Sequence, residues 1–239
     1  RPPLSLRGSG AFAIPRPASF GIGGASRAAQ REVEALYASA GNDPVALAGK
    51  RAFEAVHRVR EAVGRSRMRA PHIKRTKQLE RLVEGLGTLE RAQLGVRAVF
   101  LEVDGWDTHA NQGGDTGQMA RSVQNLASGL ARLFELTRER RDVIAVVMTE
   151  FGRTVAPNGS GGTDHGHGSA MLVAGPRVRG GVYGDWPGLA KSRLYQGRDL
   201  AITTDYRHVL HEVLGAHLGQ KPPADTFPGF RPSSLGLIG

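Results

Sequence analysis

The chain has 239 residues, and its 32 Lys and Arg residues outnumber its 22 Asp and Glu residues to give a formal charge of +10. It contains no cysteine, which excludes a disulfide framework, thiolate-ligated zinc, an iron–sulfur cluster and a thiol nucleophile. No apolar stretch approaches the roughly 20 residues that cross a bilayer as a helix. Glycine occurs 33 times, about twice the ordinary frequency of roughly 7%. We therefore expect long, tightly turned functional loops around an ordinary hydrophobic core.

The first 27 residues are rich in Pro and Gly and show no helical or strand periodicity. They lack the charged, apolar and small-residue regions of a signal peptide. Because residue 1 is Arg rather than Met, we expect a processed chain or a portion of a longer protein.

Three amphipathic helices are predicted next, over residues 27–40, 44–63 and 76–94, because apolar residues recur there every three or four positions. Residues 50–97 carry 13 Lys and Arg against 5 Glu, which is +8 of the net +10. A solvated polar face explains this charge, and a nucleic-acid surface is the alternative. The stretch contains a single aromatic residue, Phe53, on the apolar stripe of its helix. This lack of stacking residues argues against nucleic acid as a partner.

Beyond Gly95 the predicted elements change to strands that alternate with helices. Apolar, β-branched runs predict strands at 96–103, 143–148 and 170–174, and helical periodicity predicts helices at 119–137 and 205–218. Near-continuous apolar strands separated by helices are typical of a mostly parallel sheet covered by helices on both faces. We therefore predict an α/β fold, with a linker and basic helical region over 1–94 and the α/β region over 95–239.

Residues able to bind metals cluster in the three loops beside these predicted strands. Ligands of open α/β sheets bind beyond the strand ends, so we expect the three loops to share one edge of the sheet. Without thiolates, Asp and His are the side chains that hold zinc or manganese. The candidate metal ligands are Asp107, His109, Glu150, Asp164, His165 and His167. Arg153 is the candidate anion clamp, since a guanidinium can hold an anion through two parallel hydrogen bonds.

Each candidate also has a structural alternative. An Asp-x-His pair such as 107–109 commonly caps the backbone of its own loop. The two histidines of the Gly-rich loop can serve as hydrogen-bonding groups, and Glu150 can cap the next turn or pair with Arg153. The clustering of all three loops favours the metal site over these separate roles.

Several of these stretches resemble a bacterial family known as domain of unknown function 1501. The resemblance is carried by GWDTHANQ at 105–112, TEFGRT at 149–154 and NGSGGTDHGHG at 158–168. It continues through GGVYGDWPGL at 180–189, GRDL at 197–200 and TTDYR at 203–207. These motifs span about residues 95–230, whereas residues 1–94 resemble the variable middle region of the family less distinctly.

That family is similar to the alkaline phosphatase and sulfatase superfamily, and the resemblance implies an alkaline-phosphatase-like α/β sandwich that is incomplete at its N-terminus. It implies that Asp107 and His109 ligate one metal and that His165 or His167 matches a late histidine of the superfamily. Glu150 stands where the superfamily has Asp, and Phe151 replaces the histidine that follows it, so a second metal would be weaker or absent. The superfamily nucleophile follows an earlier strand that nothing before Val96 resembles. We therefore expect the nucleophile outside this chain.

The loops and the resemblance together predict a metal-dependent hydrolase of phosphate or sulfate esters. Its cofactor would be a divalent metal (Zn, Mn, Mg or Ca), and its substrate an anionic small molecule or polymer. Because many family members carry a twin-arginine export signal, the resemblance implies a periplasmic or exported location for the full-length protein. The alternative is a non-catalytic module that binds an anion or a polysaccharide, and nucleic-acid binding through residues 50–97 is a weaker one.

Overall fold

A computed structural model describes residues 26–41, 43–65, 77–91, 94–219 and 222–239. The chain divides into two units, Arg1–Val103 and Asp104–Gly239. The predicted irregular stretch up to residue 25 lies outside the described residues. No helix among the described residues is long and apolar enough to cross a membrane.

The described residues of the first unit form three helices, α1 (Arg27–Ser39), α2 (Pro44–Arg65) and α3 (Gln78–Arg91). The predictions of these helices are confirmed, although residues 76, 92 and 93 of the third lie outside the described part. Polar caps set the starts of two of them: the Ser26 hydroxyl accepts from the Ala29 N–H, and the Asp43 carboxylate accepts from Val45 and Ala46. Such caps satisfy backbone donors that a helix start leaves unpaired.

The apolar stripe of α2 is buried as its periodicity predicts, with Phe53, Val56 and Val59 each no more than 5% exposed. Tyr37 of α1 packs over Gly49 of α2, where an added Cβ would meet the tyrosine ring at 2.1 Å. Glycine at position 49 thus lets the Tyr37 ring lie directly against the backbone of α2.

The polar face of α2 carries part of the basic stretch. Arg51, Arg58 and Arg60 are exposed, as a solvated helix face requires. Four further basic residues of the stretch lie outside the described residues: Arg67, Arg69, Lys74 and Arg75.

In the part of the second unit that the structure describes, the chain forms α4 (Gln118–Leu136), four short strands and α5 (Tyr206–Leu218). The strands are β1 (Ala145–Val147), β2 (Gly152–Arg153), β3 (His165–Gly166) and β4 (Leu172–Ala174). Both predicted helices are confirmed. Asp205 caps α5 by accepting from the Arg207 N–H at 2.9 Å.

The prediction of a mostly parallel α/β sheet, and of an alkaline-phosphatase-like sandwich built on it, is wrong. Within the described residues, β1 pairs antiparallel with β4 and β2 pairs antiparallel with β3, giving two sheets of two strands each. Parallel neighbours need a crossover connection, usually a helix. Here the chain between β1 and β4 contains β2 and β3 and turns back on itself, so the two apolar runs meet in opposite directions.

The strand predicted at 96–103 is also wrong, because residues 94–103 contain no strand. An apolar, β-branched run forms a strand only when its backbone groups pair with a neighbouring strand. Val99 and Phe100 of this run are about half exposed, at 47% and 49%.

The hydrophobic core of the second unit lies where α5 covers one face of the β1–β4 sheet. Val209 and Val213 of α5 pack with Leu237 near the C-terminus. The cross-strand pair Val146 and Val173 packs against this cluster. The remaining partly buried members are Ile144, Met171, Leu235 and Ile238.

A single carboxylate fastens the C-terminal segment to α5. Glu212 accepts hydrogen bonds from the backbone N–H groups of residues 235–238, at 2.5–3.2 Å, and from the Ser234 hydroxyl. Burial alone would raise the pKa of Glu212, but these donors outweigh it and hold the pKa below its usual range.

Candidate metal centre

The side chains of Asp107, His109 and His165 converge into a triad on the second unit. One ligand atom from each lies within 4.8 Å of the other two. Asp107 Oδ1 is 3.0 Å from His165 Nε2 and 3.1 Å from His109 Nδ1. About half of each side chain is exposed, so a ligand reaches the triad directly from solvent.

The triad is assembled from two segments held side by side by their backbones. Ala110 and Gly161 form an antiparallel bridge. The N–H groups of Asn111 and Gln112 donate to the carbonyls of Ser160 and Gly161, at 3.0 and 2.9 Å. These bonds bring the loop of Asp107 and His109 against the segment that leads into His165.

Gly162 makes this close approach feasible. A Cβ at this position would lie 2.2 Å from the carbonyl carbon of His109, which is far inside contact distance. Glycine is therefore the residue that lets the two ligand-bearing segments touch.

Arg153 lies at the edge of the triad and ties the segments together. β2 and β3 pair Arg153 directly with His165. Its guanidinium donates to the Asp107 carboxylate at 2.6 Å, to the Trp106 carbonyl at 2.8 Å and to the Thr163 carbonyl at 2.7 Å. The arginine predicted as an anion clamp therefore holds a carboxylate of its own chain.

Phe151 packs against the imidazole of His165. The two rings are stacked, with centroids 3.8 Å apart and planes 16° apart. The His109 ring lies 4.9 Å from His165 on a tilted plane. Phe151 thus orients a candidate ligand by packing.

The charges around the triad keep Asp107 ionised. Desolvation would raise the pKa of this carboxyl, but hydrogen bonds from His165 and Arg153 oppose it. The charges of His109 and Arg153 act in the same direction, and the net result is a pKa below the usual range. An ionised carboxylate is the form that binds metals.

The donor set fits a divalent metal ion. Bonds of about 2.0–2.2 Å at tetrahedral or octahedral angles separate neighbouring ligand atoms by roughly 2.8–3.6 Å, and the separations of 3.0 and 3.1 Å fall in this range. Two imidazoles and one carboxylate leave coordination positions open, as catalytic sites do. Arg153 opposes metal binding, because it shares Asp107 Oδ1 and adds a positive charge there.

The other predicted ligands are not members of this triad. The Asp164 carboxylate accepts from the Asn158 side-chain amide at 2.9 Å, and the Glu150 side chain is exposed. The His167 ring stacks on Tyr195 at 3.9 Å. Of the two histidines that the resemblance offers as alternatives, His165 is the one beside Asp107 and His109.

Sequence reasoning missed the polar residues beneath the triad. Thr108 and Thr163 are buried, and both hydroxyls donate to the side-chain oxygen of Gln112, at 2.7 and 2.8 Å. One sequence signal could have found Thr108. In an extended segment successive side chains point to opposite sides, so the middle residue of Asp107-Thr108-His109 points away from the two ligands. Gln112 ends the GWDTHANQ motif at 105–112, but the motif gave this glutamine no role.

A family model described as "Protein of unknown function (DUF1501)" matches residues 24–225. The chain belongs to this family. No curated protein and no solved structure matches it. The DUF1501 match includes both units, so the α1–α3 region and the triad lie within one family segment.

Proposed function

We propose that this DUF1501 chain binds a divalent metal ion through Asp107, His109 and His165 and that the site hydrolyses phosphate or sulfate esters. The observation that carries the proposal is the convergence of two imidazoles and an ionised carboxylate at metal-ligand spacing on an exposed surface. Imidazole ligands favour zinc over magnesium or calcium, and the carboxylate also suits manganese.

The residues around the triad suit an anionic ester. When bound, a divalent ion supplies Lewis-acid stabilisation of the negative charge on the ester oxygens. The Arg153 guanidinium adds positive charge at the edge of the same site. Phe151 restrains the His165 ring, which reduces the conformational freedom lost when the imidazole binds.

Metal binding is tested with the full chain carrying a histidine-free affinity tag. Isothermal titration with ZnCl₂ and MnCl₂ should show one site. Loss of a residue that is hydrogen-bonded to a metal ligand typically lowers metal affinity about 10–100-fold. Because His165→Ala removes a ligand itself, it should weaken binding by at least that much. His211→Ala, on α5 and outside the triad, is the matched control and should bind like the wild type.

Hydrolysis is tested on the same samples with 4-nitrophenyl phosphate and 4-nitrophenyl sulfate. Metal-dependent turnover that His165→Ala abolishes and His211→Ala preserves is the expected result. Metal binding without turnover of either ester would contradict the hydrolase and favour the non-catalytic anion-binding module. Absence of metal binding by the wild type would contradict the metal site itself.

A further inference from the structure

We propose that Gln112 is a positioning residue that sets the spacing of the triad; this inference rests on the proposed metal site. Its side-chain oxygen accepts from the Thr108 hydroxyl at 2.7 Å and from the Thr163 hydroxyl at 2.8 Å. One oxygen atom therefore ties together the two segments that supply the ligands.

The two threonines that this oxygen binds are close in sequence to the three candidate ligands. Thr108 lies between Asp107 and His109, and Thr163 lies two residues before His165. Both are buried, at 2% and 9% exposure, so neither hydroxyl can exchange Gln112 for bulk water. Displacement of either threonine would therefore shift the backbone next to a ligand.

An amide oxygen is suited to this role because it has two lone pairs and can accept from both hydroxyls at once. An apolar side chain of similar length would leave two buried donors without their acceptor. Since buried hydroxyls without partners are costly, the threonines would turn toward other acceptors and displace the ligand-bearing segments.

Two backbone hydrogen bonds fix the main chain of Gln112 and therefore the point from which its side chain extends. Its N–H donates to Gly161 at 2.9 Å, and its carbonyl accepts from the N–H of Met119 at 2.9 Å, in the first turn of α4. The next residue, Gly113, has φ +73°, and a Cβ there would meet the Thr116 carbonyl oxygen at 2.2 Å. The turn into α4 thus holds Gln112 beneath the triad.

The test compares Gln112→Met with Gln112→Glu in the full chain. Met has similar length and no acceptor of comparable strength, whereas Glu keeps an oxygen that can accept from both threonines. We expect Gln112→Met to weaken Zn²⁺ binding by about tenfold, the lower end of the effect of removing a group hydrogen-bonded to a metal ligand, because Gln112 acts through the threonines. It should also alter the visible absorption spectrum of bound Co²⁺. Gln112→Glu should stay within a few-fold of wild-type affinity and keep the spectrum.

A measurement without metal separates this inference from the proposed function. The stacked Phe151 ring shifts the imidazole proton resonances of His165, which His165→Ala assigns in the NMR spectrum. Gln112→Met should change these resonances, and Gln112→Glu should preserve them. Far-UV circular dichroism of each variant checks that the helices are intact.

The outcomes are distinct. Wild-type His165 resonances and wild-type Zn²⁺ affinity in Gln112→Met would overturn the positioning role. Equal losses in the Met and Glu variants would overturn it as well, because the shared acceptor would then be irrelevant. If the wild type binds no metal, the proposed function fails. The His165 resonances of the metal-free variants then decide by themselves whether Gln112 positions the triad.

Discussion

Replacing Glu212 with Gln tests whether one carboxylate holds the C-terminal segment of the second unit against α5. One oxygen of Glu212 accepts from the N–H groups of Leu237 and Ile238, and the other accepts from Leu235 and Gly236. In Gln one of these oxygens becomes an NH₂ group, which donates and cannot accept. Whichever way the amide is oriented, two backbone N–H groups lose their bond to residue 212, although Gly236 also donates to the Ser234 hydroxyl at 3.2 Å.

The size of the effect follows from those two lost bonds. Hydrogen bonds to charged groups contribute about 1.5–3 kcal/mol each. Because Glu212 is only partly buried, water replaces part of the loss, and we expect Glu212→Gln to lower the free energy of unfolding by about 2–4 kcal/mol. Detachment of residues 235–238 would also expose Leu237, which belongs to the core of the unit.

Urea unfolding followed by tryptophan fluorescence measures this change in the second unit. Trp106 and Trp186 are the two tryptophans of the chain, and both lie in the second unit. Glu135→Gln is the matched control, because Glu135 is 65% exposed and pairs with Arg132 on the surface of α4. Surface ion pairs contribute about 0–1 kcal/mol, so this control should differ little from the wild type.

The difference between wild type and Glu212→Gln should also depend on pH. The pKa of Glu212 is lower in the folded state than its usual value near 4.5. Its stabilisation is therefore complete above that value and is lost as the pH falls through the folded-state pKa. The two proteins should converge in stability toward low pH. An equal free energy of unfolding at pH 7, or a difference that stays constant below pH 4, would refute the reasoning.

Two further predictions concern the Gly-rich loop and the ion pair between buried Asp199 and exposed Arg198. Gly162→Ala should weaken Zn²⁺ binding by at least about tenfold, because the added Cβ would displace the backbone of His109. Tenfold is the lower end of the loss seen when the groups that support a metal ligand are disturbed. Gly159→Ala, with open space around its Cβ, should bind like the wild type in the same titration, and equal effects of the two variants would contradict this account. Asp199→Asn should destabilise the second unit by about 1–3 kcal/mol in urea at pH 7, because it disrupts a half-buried pair with Arg198. The Arg198 guanidinium donates two hydrogen bonds to the Asp199 carboxylate and holds its pKa below the usual range. The difference in stability between the wild type and Asp199→Asn should therefore disappear as the pH falls through that pKa. A difference that persists there would contradict the electrostatic cause.

The helices were predictable because their signals are local. The periodicity of Phe53, Val56 and Val59 defines the buried face of α2 whatever packs against it. Likewise, Asp205 begins α5 with a hydrogen bond to a residue two positions away.

The sheet was not predictable because strand pairing is a relation between distant segments. The runs at 143–148 and 170–174 do contain β1 and β4, but their apolar character did not reveal that they pair antiparallel with each other. A short apolar run is compatible with either pairing direction. The run at 96–103, which is apolar apart from Arg97 and Glu102, contains no strand.

The amino-acid sequence alone excluded cysteine chemistry and restricted any metal site to Asp, Glu and His ligands. It also placed these ligand candidates in three glycine-rich loops. Only the tertiary structure selected Asp107, His109 and His165 from the six candidates, assigned Arg153 to an internal carboxylate and brought Gln112 beneath them. The physical reason is distance along the chain: residues 107 and 165 are separated by 58 positions, and their approach depends on backbone pairing and on a glycine at 162.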